Sequence, residues 1–431
     1  MYKEEALELL DFIHHSPSAF HAACQVKDIL DKEGFRELKE EERWHLDKGK
    51  GYYTVRNNSA VIAFRTGTLA PQEAGFKLIG AHTDSPTFRI KPNSEMVAEG
   101  CYLKLNTEVY GGPILNTWFD RPLGIAGRVI LKSSDVLRPE TRLVNIARPL
   151  VIIPNLAIHM NRDVNKGVEI NRQRDVLPLV AMVNDVLEKD NYLVKLIAEE
   201  LASDIDSILD FDLFLYEYEK GCLTGASEEF ISASRLDDLA MVQAGVKALI
   251  SARPSKETQV MVCYDNEEVG SATKQGADSQ LLSNILERIT GSMGGNREDF
   301  FRALSKSFLI SADLAHAVHP NNTDKHDPTN RPVINKGPVI KISASQRYTT
   351  DSDASSVYEQ ICKKAQVPVQ KFVNRSDMAG GSTIGPISST HLDIRSVDMG
   401  TPVLAMHSIR ELGGVMDHYY VIKSFEEFYN L

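Results

Sequence analysis

The sequence predicts an α/β protein in which helices cover a central sheet and a β-rich domain interrupts the chain. Two observations support this fold class. Helical segments alternate with single apolar strands over about 1–94 and again over about 231–431, a pattern typical of a sheet with covering helices. The stretch 95–230 is instead rich in β-forming runs. We therefore expect one discontinuous domain, 1–94 plus 231–431, and one inserted domain, 95–230.

The first segment of the discontinuous domain starts with helices and continues with strands. Helical patterns cover 3–14 and about 18–32, and the second is preceded by "SPSAF", whose Ser and Pro are start signals. Three β-like runs follow: "YYTVRNN", "AVIAFRT" and "FKLIGAHTD". The last is an apolar strand that ends in polar residues, so it is a candidate for carrying chemistry.

The inserted domain and the second segment complete the prediction. The expected strands of the insertion are "YLKLNTEVYGG", "AGRVILKS", "RLVNIARPLVIIP" and "DFDLFLYEYE", and its expected helix is "PLVAMVNDVLEKD". After the insertion, the expected helices are "SRLDDLAMVQAGVKALISA", "ADSQLLSNILERIT" and "SDASSVYEQICKKAQ". The strands between them are "TQVMVCYD", "KSFLISAD" and "VDMGTPVLAMHS". Helices and strands thus alternate throughout this segment.

Composition narrows the class of protein. A chain of 431 residues and 48.0 kDa favours two domains. The net charge of −11 argues against nucleic acid or an anionic membrane as the main partner. The five scattered cysteines form no CxxC pair, which indicates reduced thiols. The amphipathic, acidic start is unlike a targeting peptide, and no apolar run approaches the roughly 20 residues that span a bilayer. We expect a soluble cytoplasmic protein.

Polar residues cluster where the predicted strands end. In open α/β sheets, ligands bind beyond the carboxyl ends of the strands. The candidates at these positions are His82, Asp84, Asp237, Asp238, Glu267, Glu268, Asp313, His316, His319 and His407. Imidazoles and carboxylates from separate strand ends are the ligands that two divalent cations of the zinc or cobalt type require.

One set of five fits such a pair of metals: His82, Asp237, Glu268, Asp313 and His407. Its three carboxylates contribute −3 against +4 from the metals, so the centre can hold a water, lower its pKa and polarise a carbonyl. Another acid must stay unligated to take the proton of that water. Two adjacent glutamates answer both needs if Glu268 binds a metal and Glu267 is the general base.

Each motif alone has a simpler explanation. A histidine at a strand end is commonly a hydrogen-bonded structural residue, and "RLDDL" is typical of a helix start with an Asp cap. Asp313 could cap the following helix, and the glutamate pair could lie on the surface. Because all of them follow strands of the same domain, we favour the metal site.

These motifs together resemble those of the M18 family of metallopeptidases, the aspartyl aminopeptidases. The resemblance runs from "SPSAFHA" to the C-terminal helix. It includes "GAHTDSP", "VYGG", "TWFDRPL", "IPNLAIHMNRDVN", "RLDDL", "DNEEVGS", "SADLAHAVHPN", "GPVIKI", "STIGPI" and "LAMHSIRE". The family implies a zinc-peptidase-like catalytic domain and a two-metal aminopeptidase, with zinc as the expected metal and cobalt or manganese as alternatives.

The resemblance also implies a role for each site residue. One metal would be bound by His82, Asp237 and Asp313, and Asp237 would bridge to the second metal on Glu268 and His407. Glu267 would be the general base towards a hydroxide held between the metals, and Asp84 would orient the imidazole of His82. Relatives often carry Asn at the position of Asp238, so which of the two adjacent aspartates bridges stays open.

Substrate and assembly follow from the same resemblance. Lys341 and His316 match positions near the substrate's first side chain, where a cation would favour Asp or Glu. His159 matches a histidine that reaches a neighbouring subunit's active site, although it could equally be satisfied within its own domain. The loop "SDMAGGSTIG" varies among relatives, so a neutral or broad preference is the alternative. The inserted domain is expected to drive dimerisation, and the dimers to form a tetrahedral dodecamer.

Three rival functions remain. Another two-metal amide hydrolase, such as a deacylase or carboxypeptidase, would use the same ligands. A non-catalytic binding protein would usually lack a ligand or the base, whereas every candidate is present here. A nucleic-acid binder is disfavoured by the charge and by the lack of a basic, aromatic-interleaved stretch.

Overall fold

The computed structural model describes residues 1–183 and 191–431. The helices are α1 (Tyr2–His14), α2 (Ala19–Lys32), α3 (Pro71–Ala74), α4 (Tyr192–Glu200), α5 (Leu236–Ser251), α6 (Leu281–Ser292), α7 (Arg297–Leu304), α8 (Ser352–Ala365), α9 (Ile384–Leu392) and α10 (Val415–Asn430). The strands in the first half of the chain are β1 (Arg36–Glu37), β2 (Gly51–Arg56), β3 (Ala60–Arg65), β4 (Phe76–His82), β5 (Thr87–Ala98), β6 (Tyr102–Tyr110), β7 (Leu123–Leu131), β8 (Glu140–Val151), β9 (Leu179–Met182) and β10 (Ile208–Glu217). Those in the second half are β11 (Cys222–Thr224), β12 (Phe230–Ala233), β13 (Thr258–Tyr264), β14 (Phe308–Ala312), β15 (Ala315–His316), β16 (Val339–Ile342), β17 (Gln370–Val373), β18 (Arg395–Gly400), β19 (Pro402–Leu404) and β20 (Glu411–Gly414).

The chain forms two compact units. The first comprises Met1–Asp84, Gly221–Met406 and Glu411–Leu431, and the second comprises Ser85–Lys220 and His407–Arg410. Within the described residues, no helix is long and apolar enough to cross a membrane. The α/β class predicted from the sequence is confirmed.

A nine-stranded sheet forms the centre of the first unit, in the order β1-β2-β3-β13-β4-β14-β18-β16-β17. Strands β13, β4, β14 and β18 run parallel as neighbours. Their side chains alternate between two cores: Met261 of β13 packs in one and Val260 in the other. Helices α1, α2, α5, α8 and α10 contribute to the first core, and α6, α7 and α9 to the second. Since both faces are covered, every residue of β4, β13 and β14 is buried, and most of them are apolar.

A smaller five-stranded sheet, in the order β11-β12-β20-β19-β15, completes the first unit. Here one prediction is wrong in detail. "VDMGTPVLAMHS" is not one strand but two, because β18 ends at Gly400 in the large sheet and β19 belongs to the small one. Because the chain passes from one sheet to the other within this run, its side chains do not follow one alternating pattern from end to end.

The second unit is built on a six-stranded antiparallel sheet, in the order β8-β7-β10-β5-β6-β9. Its core includes Phe88, Ile125 and Leu213 from the sheet and Ile197 from α4. The helix predicted for "PLVAMVNDVLEKD" is wrong at its start, because Leu179–Met182 pair with β6 as a strand. The rest of that prediction, 184–190, lies outside the described residues.

Candidate metal centre

Three neighbouring parallel strands carry the chemical residues of the first unit to one edge of its sheet. Strand β4 lies between β13 and β14. His82 ends β4, Glu267 and Glu268 follow β13, and Asp313 follows β14. Because parallel strands end at the same edge, residues far apart in sequence come together there.

The start of α5 adds a pair of aspartates. Asp237 and Asp238 depart from helical geometry, with ψ of 106° and 22°, although they lie within the span of α5. Both are buried, with at most 3% of their surface exposed. The irregular backbone turns both carboxylates into the protein instead of along a solvated helix face, so helix capping does not explain them.

Among the described residues of the first unit, two groups offer ligand atoms that all lie within 4.8 Å of one another. The first is His82, Asp237, Asp238 and Asp313, and the second is His82, Glu267 and Glu268. His82 is shared by both. The first unit therefore brings together the four predicted ligands that belong to it, together with the predicted base.

The imidazole of His82 is held by carboxylates on both sides. Its Nδ1 lies 3.1 Å from the carbonyl oxygen of Asp84 and 3.3 Å from Asp84 Oδ1, and its Nε2 lies 3.3 Å from Asp237 Oδ1. Since a carbonyl oxygen only accepts, Nδ1 carries a proton, and Nε2 is the nitrogen that would bind a metal once it has lost its own proton. Burial opposes a charged ring, but Asp237 and Asp84 raise the pKa of His82 well above its ordinary value.

Asp84 also contacts residues other than His82. Its Oδ1 accepts the backbone N–H of Glu267 and its Oδ2 accepts that of Glu268, both at 3.1 Å. One carboxylate thus fixes the imidazole and the backbone of both glutamates. The sequence separates these residues by more than 180 positions, so only the pairing of β4 with β13 reveals the contact.

The two aspartates of "RLDDL" have different surroundings. Asp237 Oδ1 faces the His82 ring, and its backbone N–H donates to Glu411 Oε2 at 3.0 Å. Asp238 Oδ2 accepts the backbone N–H of His82 at 3.1 Å, and burial raises the pKa of this carboxyl well above its ordinary value. Asp237 thus faces the ring of His82, whereas Asp238 holds the backbone of β4.

Negative charge accumulates around Glu267. Burial, together with the carboxylates of Asp313, Asp84 and Asp237, raises the pKa of Glu267 to about 8, although a protonated His82 opposes this shift. Buried carboxylates repel one another and lose solvation. A divalent cation beside His82 would relieve both costs. The donor set of imidazole and carboxylate oxygens is the kind that zinc, cobalt and manganese accept, so the residues fit a metal centre.

Lys341 is a buried cation next to this cluster. It lies on β16 with 2% of its surface exposed, and its Nζ is 3.3 Å from Asp313 Oδ2. Burial lowers the pKa of Lys341, but the carboxylates of Asp313 and Asp398 more than offset this and raise it above its ordinary value. The contact with Asp313 was not predicted from the sequence.

The other predicted site residues lie further along the chain or in the second unit. His316, on β15, is exposed, and its ring packs edge-on against Phe372 at 5.8 Å. His159 is exposed in a turn of the second unit. His407 also belongs to that unit, where its Nδ1 lies 3.1 Å from the carbonyl oxygen of Gly112 and leaves Nε2 as the ring nitrogen with a lone pair. The roles of all three remain predictions.

Sequence reasoning missed two buried acids in the first unit. Glu411 accepts the backbone N–H of Asp237, and Asp398 accepts hydrogen bonds from Ser311 Oγ, Thr383 Oγ1 and the backbone N–H of Thr349. Asp398 lies within the apolar run "VDMG", where a carboxylate is unexpected, and this was the available signal.

An imidazole surrounded by buried carboxylates at the carboxyl edge of an α/β sheet is the arrangement of a metal-dependent hydrolase. The family model for "Aminopeptidase I zinc metalloprotease (M18)" matches residues 12–429. The chain therefore belongs to the M18 family and is a metallo-aminopeptidase.

Curated and solved relatives agree with this assignment. A "Probable M18 family aminopeptidase 2" of Clostridium novyi (strain NT) is 66% identical over 426 residues, which cover 99% of this chain and 98% of the relative. A chain in the cryo-EM structure of the Ape4 and Nbr1 complex is 38% identical, with a TM-score of 0.96 over 99% of this chain and 86% of that chain. A chain of the "S. cerevesiae mApe1 dodecamer" is 29% identical, with a TM-score of 0.86 over 99% of this chain and 96% of that chain.

Proposed function

We propose that the protein is a two-metal aminopeptidase that removes one residue from the N-terminus of peptides, with a preference for Asp or Glu. The observation that carries this proposal is the buried cluster of His82, Asp237 and Asp313 beside two glutamates, in a chain of the M18 family. Membership of the family supports aminopeptidase chemistry. The number of metals, the base and the side-chain preference are our proposal.

His82, Asp237 and Asp313 would hold one metal, and Asp237, Glu268 and His407 the second. Zinc is the expected ion, in keeping with the family's description, and cobalt and manganese suit the same ligands. Divalent metals supply Lewis-acid polarisation of the scissile carbonyl and a lowered pKa for a bound water. Two divalent ions together carry a charge of +4, which more than neutralises the −3 of the three ligand carboxylates.

Glu267 is the proposed general base. Its Oε2 lies 4.0 Å from His82 Nε2, so it is beside the proposed ligands, and its backbone is held by Asp84. A half-buried carboxylate in this position can take a proton from the attacking water and pass it to the leaving amine. The surrounding carboxylates would also hold the substrate's free α-amine, which explains why an exopeptidase results.

Side-chain preference is assigned to Lys341 and His316. An ammonium group has three N–H donors, and Lys341 directs two of them at Asp313 Oδ2 and the carbonyl oxygen of Leu314. The remaining donor and the positive charge would favour a substrate carboxylate. His316, which is exposed, would contact the same side chain.

We further propose that the protein works in the cytoplasm as a homo-oligomer. The mApe1 relative is a dodecamer, and by analogy dimers built on the second unit would assemble into a tetrahedral dodecamer in which His159 reaches a neighbouring active site. The cysteines support a reducing compartment, since all five are free thiols. Light scattering tests assembly: a stable monomer would exclude both the dodecamer and a role for His159 across subunits.

The test of the proposed function is release of the first residue from matched Asp-, Glu- and Leu-initiated peptides. Metal-stripped protein should be inactive and should recover on addition of zinc, cobalt or manganese. Metal-dependent release that favours Leu would remove the acidic preference but keep the chemistry. Cleavage of N-acetylated peptides at the same rate would instead indicate a deacylase, because an aminopeptidase needs the free amine.

Two variants test the assigned roles. Glu267→Gln should abolish turnover while zinc content stays near that of the unaltered protein, because the base is lost and the ligands are not. Glu268→Ala should lose zinc as well as activity. Normal turnover by Glu267→Gln, or full zinc content in Glu268→Ala, would show that the two glutamates are wrongly assigned.

A further inference from the structure

Lys341 has the surroundings of a residue that holds a metal ligand in place. Its Nζ is ion-paired with the Asp313 carboxylate, at 3.3 Å, and also donates to the carbonyl oxygen of Leu314 at 3.1 Å. Both contacts are made to the turn that directly follows β14. The ammonium group therefore links β16 to the residue that leaves the sheet at its functional edge.

The contact between Lys341 and Asp313 joins two parts of the large sheet that are not consecutive in the sequence. Strand β18 separates β14 from β16 in the large sheet, so the long side chain of Lys341 reaches over one strand to Asp313. The aromatic ring of Tyr348 lies 5.3 Å from Nζ, and this cation–π contact restricts the ammonium group further. Burying a charged lysine costs free energy unless the charge is paired, and here Asp313 supplies the opposite charge.

We propose that Lys341 is a positioning residue for Asp313 that fixes one carboxylate oxygen and presents the other to the metal. This inference rests on the proposed function, because it takes Asp313 to be a metal ligand. The role is additional to contact with the substrate's side chain. It makes Lys341 a determinant of metal affinity as well as of substrate preference.

Replacing Lys341 should change metal affinity in opposite directions, depending on whether this residue positions Asp313 or acts only through its positive charge. Removing a positive charge beside a cation site strengthens metal binding if Coulomb repulsion is the main effect. Removing the group that holds a ligand weakens it, because Asp313 is then free to rotate away from the metal. Loss of outer partners of metal ligands typically costs about 10- to 100-fold in affinity. We therefore expect weaker binding by at least about tenfold.

The experiment compares Lys341→Met with Lys77→Met. Methionine removes the charge at similar length, and Lys77 is a matched control because it is also a buried lysine of the large sheet, ion-paired with Glu257 at 3.3 Å near the start of β4. Zinc affinity is measured on metal-stripped protein by competition with a chromophoric chelator. Lys341→Met should bind zinc at least about tenfold more weakly than the unaltered protein, and Lys77→Met within about twofold of it.

Each outcome decides the inference. Zinc affinity of Lys341→Met that is unchanged or higher overturns the positioning role, and a lower Asp-to-Leu ratio at saturating zinc would then leave Lys341 with substrate contact alone. Lys341→Gln, which keeps an N–H donor towards Asp313, should recover part of the affinity, and it replaces Lys341→Met if that variant does not fold. Failure of the unaltered protein to bind zinc would instead refute the proposed function.

Discussion

The carboxylate of Asp84 should be required as a carboxylate, and replacement by the isosteric amide tests this. Each oxygen of Asp84 accepts one backbone N–H, from Glu267 and Glu268 respectively. In Asp84→Asn only one of the two positions is an oxygen. Whichever way the amide is turned, its NH₂ group faces a backbone N–H, so one hydrogen bond is lost and two donors meet.

The size of the effect follows from that geometry. A hydrogen bond to a charged group contributes about 1.5–3 kcal/mol, and a buried donor left unpaired costs about 1–3 kcal/mol. A combined loss of about 3 kcal/mol corresponds to roughly 100-fold, since 1.36 kcal/mol is a factor of ten. The loss falls on the loop that carries the proposed base and one proposed ligand, so we expect kcat/KM to fall by about this factor.

Asp238→Asn is the matched control. Asp238 is also buried beside His82, but a single N–H, that of His82, donates to its Oδ2. The amide oxygen of Asn can accept that bond, and burial, which raises the pKa of Asp238, already disfavours the charged form that Asn lacks. We expect Asp238→Asn to keep kcat/KM on an Asp-initiated peptide within about fivefold. Equal losses in the two variants would refute the assignment of different roles to these aspartates.

Two further variants test the stability of the first unit and the support of its site. His418 donates from Nε2 to Gln243 Oε1 at 2.9 Å, and burial lowers the pKa of this histidine to about 3. His418 takes up a proton near pH 6.5 in the unfolded chain but not in the folded one. The contribution of neutral His418 to the free energy of unfolding is therefore complete above pH 6.5 and is lost as pH falls towards 3. Urea unfolding should show that the unaltered protein loses about 2 kcal/mol more than His418→Gln between pH 6.5 and 4.5; equal losses would contradict this. A Cβ on Gly400 would lie 1.9 Å from the carbonyl oxygen of Asp313, so Gly400→Ala should lower the free energy of unfolding by about 1–3 kcal/mol and weaken zinc binding. Gly291→Ala in α6, where a Cβ meets no atom within 4 Å, should do neither.

The fold class and the family could be predicted from the sequence because both depend on patterns that are local. Mainly apolar runs such as Thr258–Tyr264 indicate that a strand is covered on both faces, and polar residues immediately after such runs mark the sheet edge. Where a run of residues pairs with different partners along its length, the local sequence pattern does not predict the structure. "VDMGTPVL" crosses from one sheet to another, and "PLVAM" pairs as a strand although its composition suits a helix.

The ligand candidates could be found for the same reason, and their supporting partners could not. His82 and Asp313 each follow an apolar strand, which is visible in the sequence. The contacts of Lys341 with Asp313 and of Glu411 with Asp237 depend on which strands are neighbours and how far each side chain reaches. No spacing of residues in the sequence predicts either of these two contacts.

The adjacent aspartates show what the sequence left open and why geometry was needed. In "RLDDL" either residue can be read as a helix cap or as a ligand, since both have the same chemistry and neighbouring positions. The backbone at the start of α5 is irregular, and this sends Asp237 towards the imidazole of His82 and Asp238 towards the backbone N–H of the same residue. One histidine is thus held by two consecutive side chains, through its ring and through its main chain. A charged group is needed only at the ring, where a metal would bind, and for this reason an amide should be tolerated at 238 but not at 237.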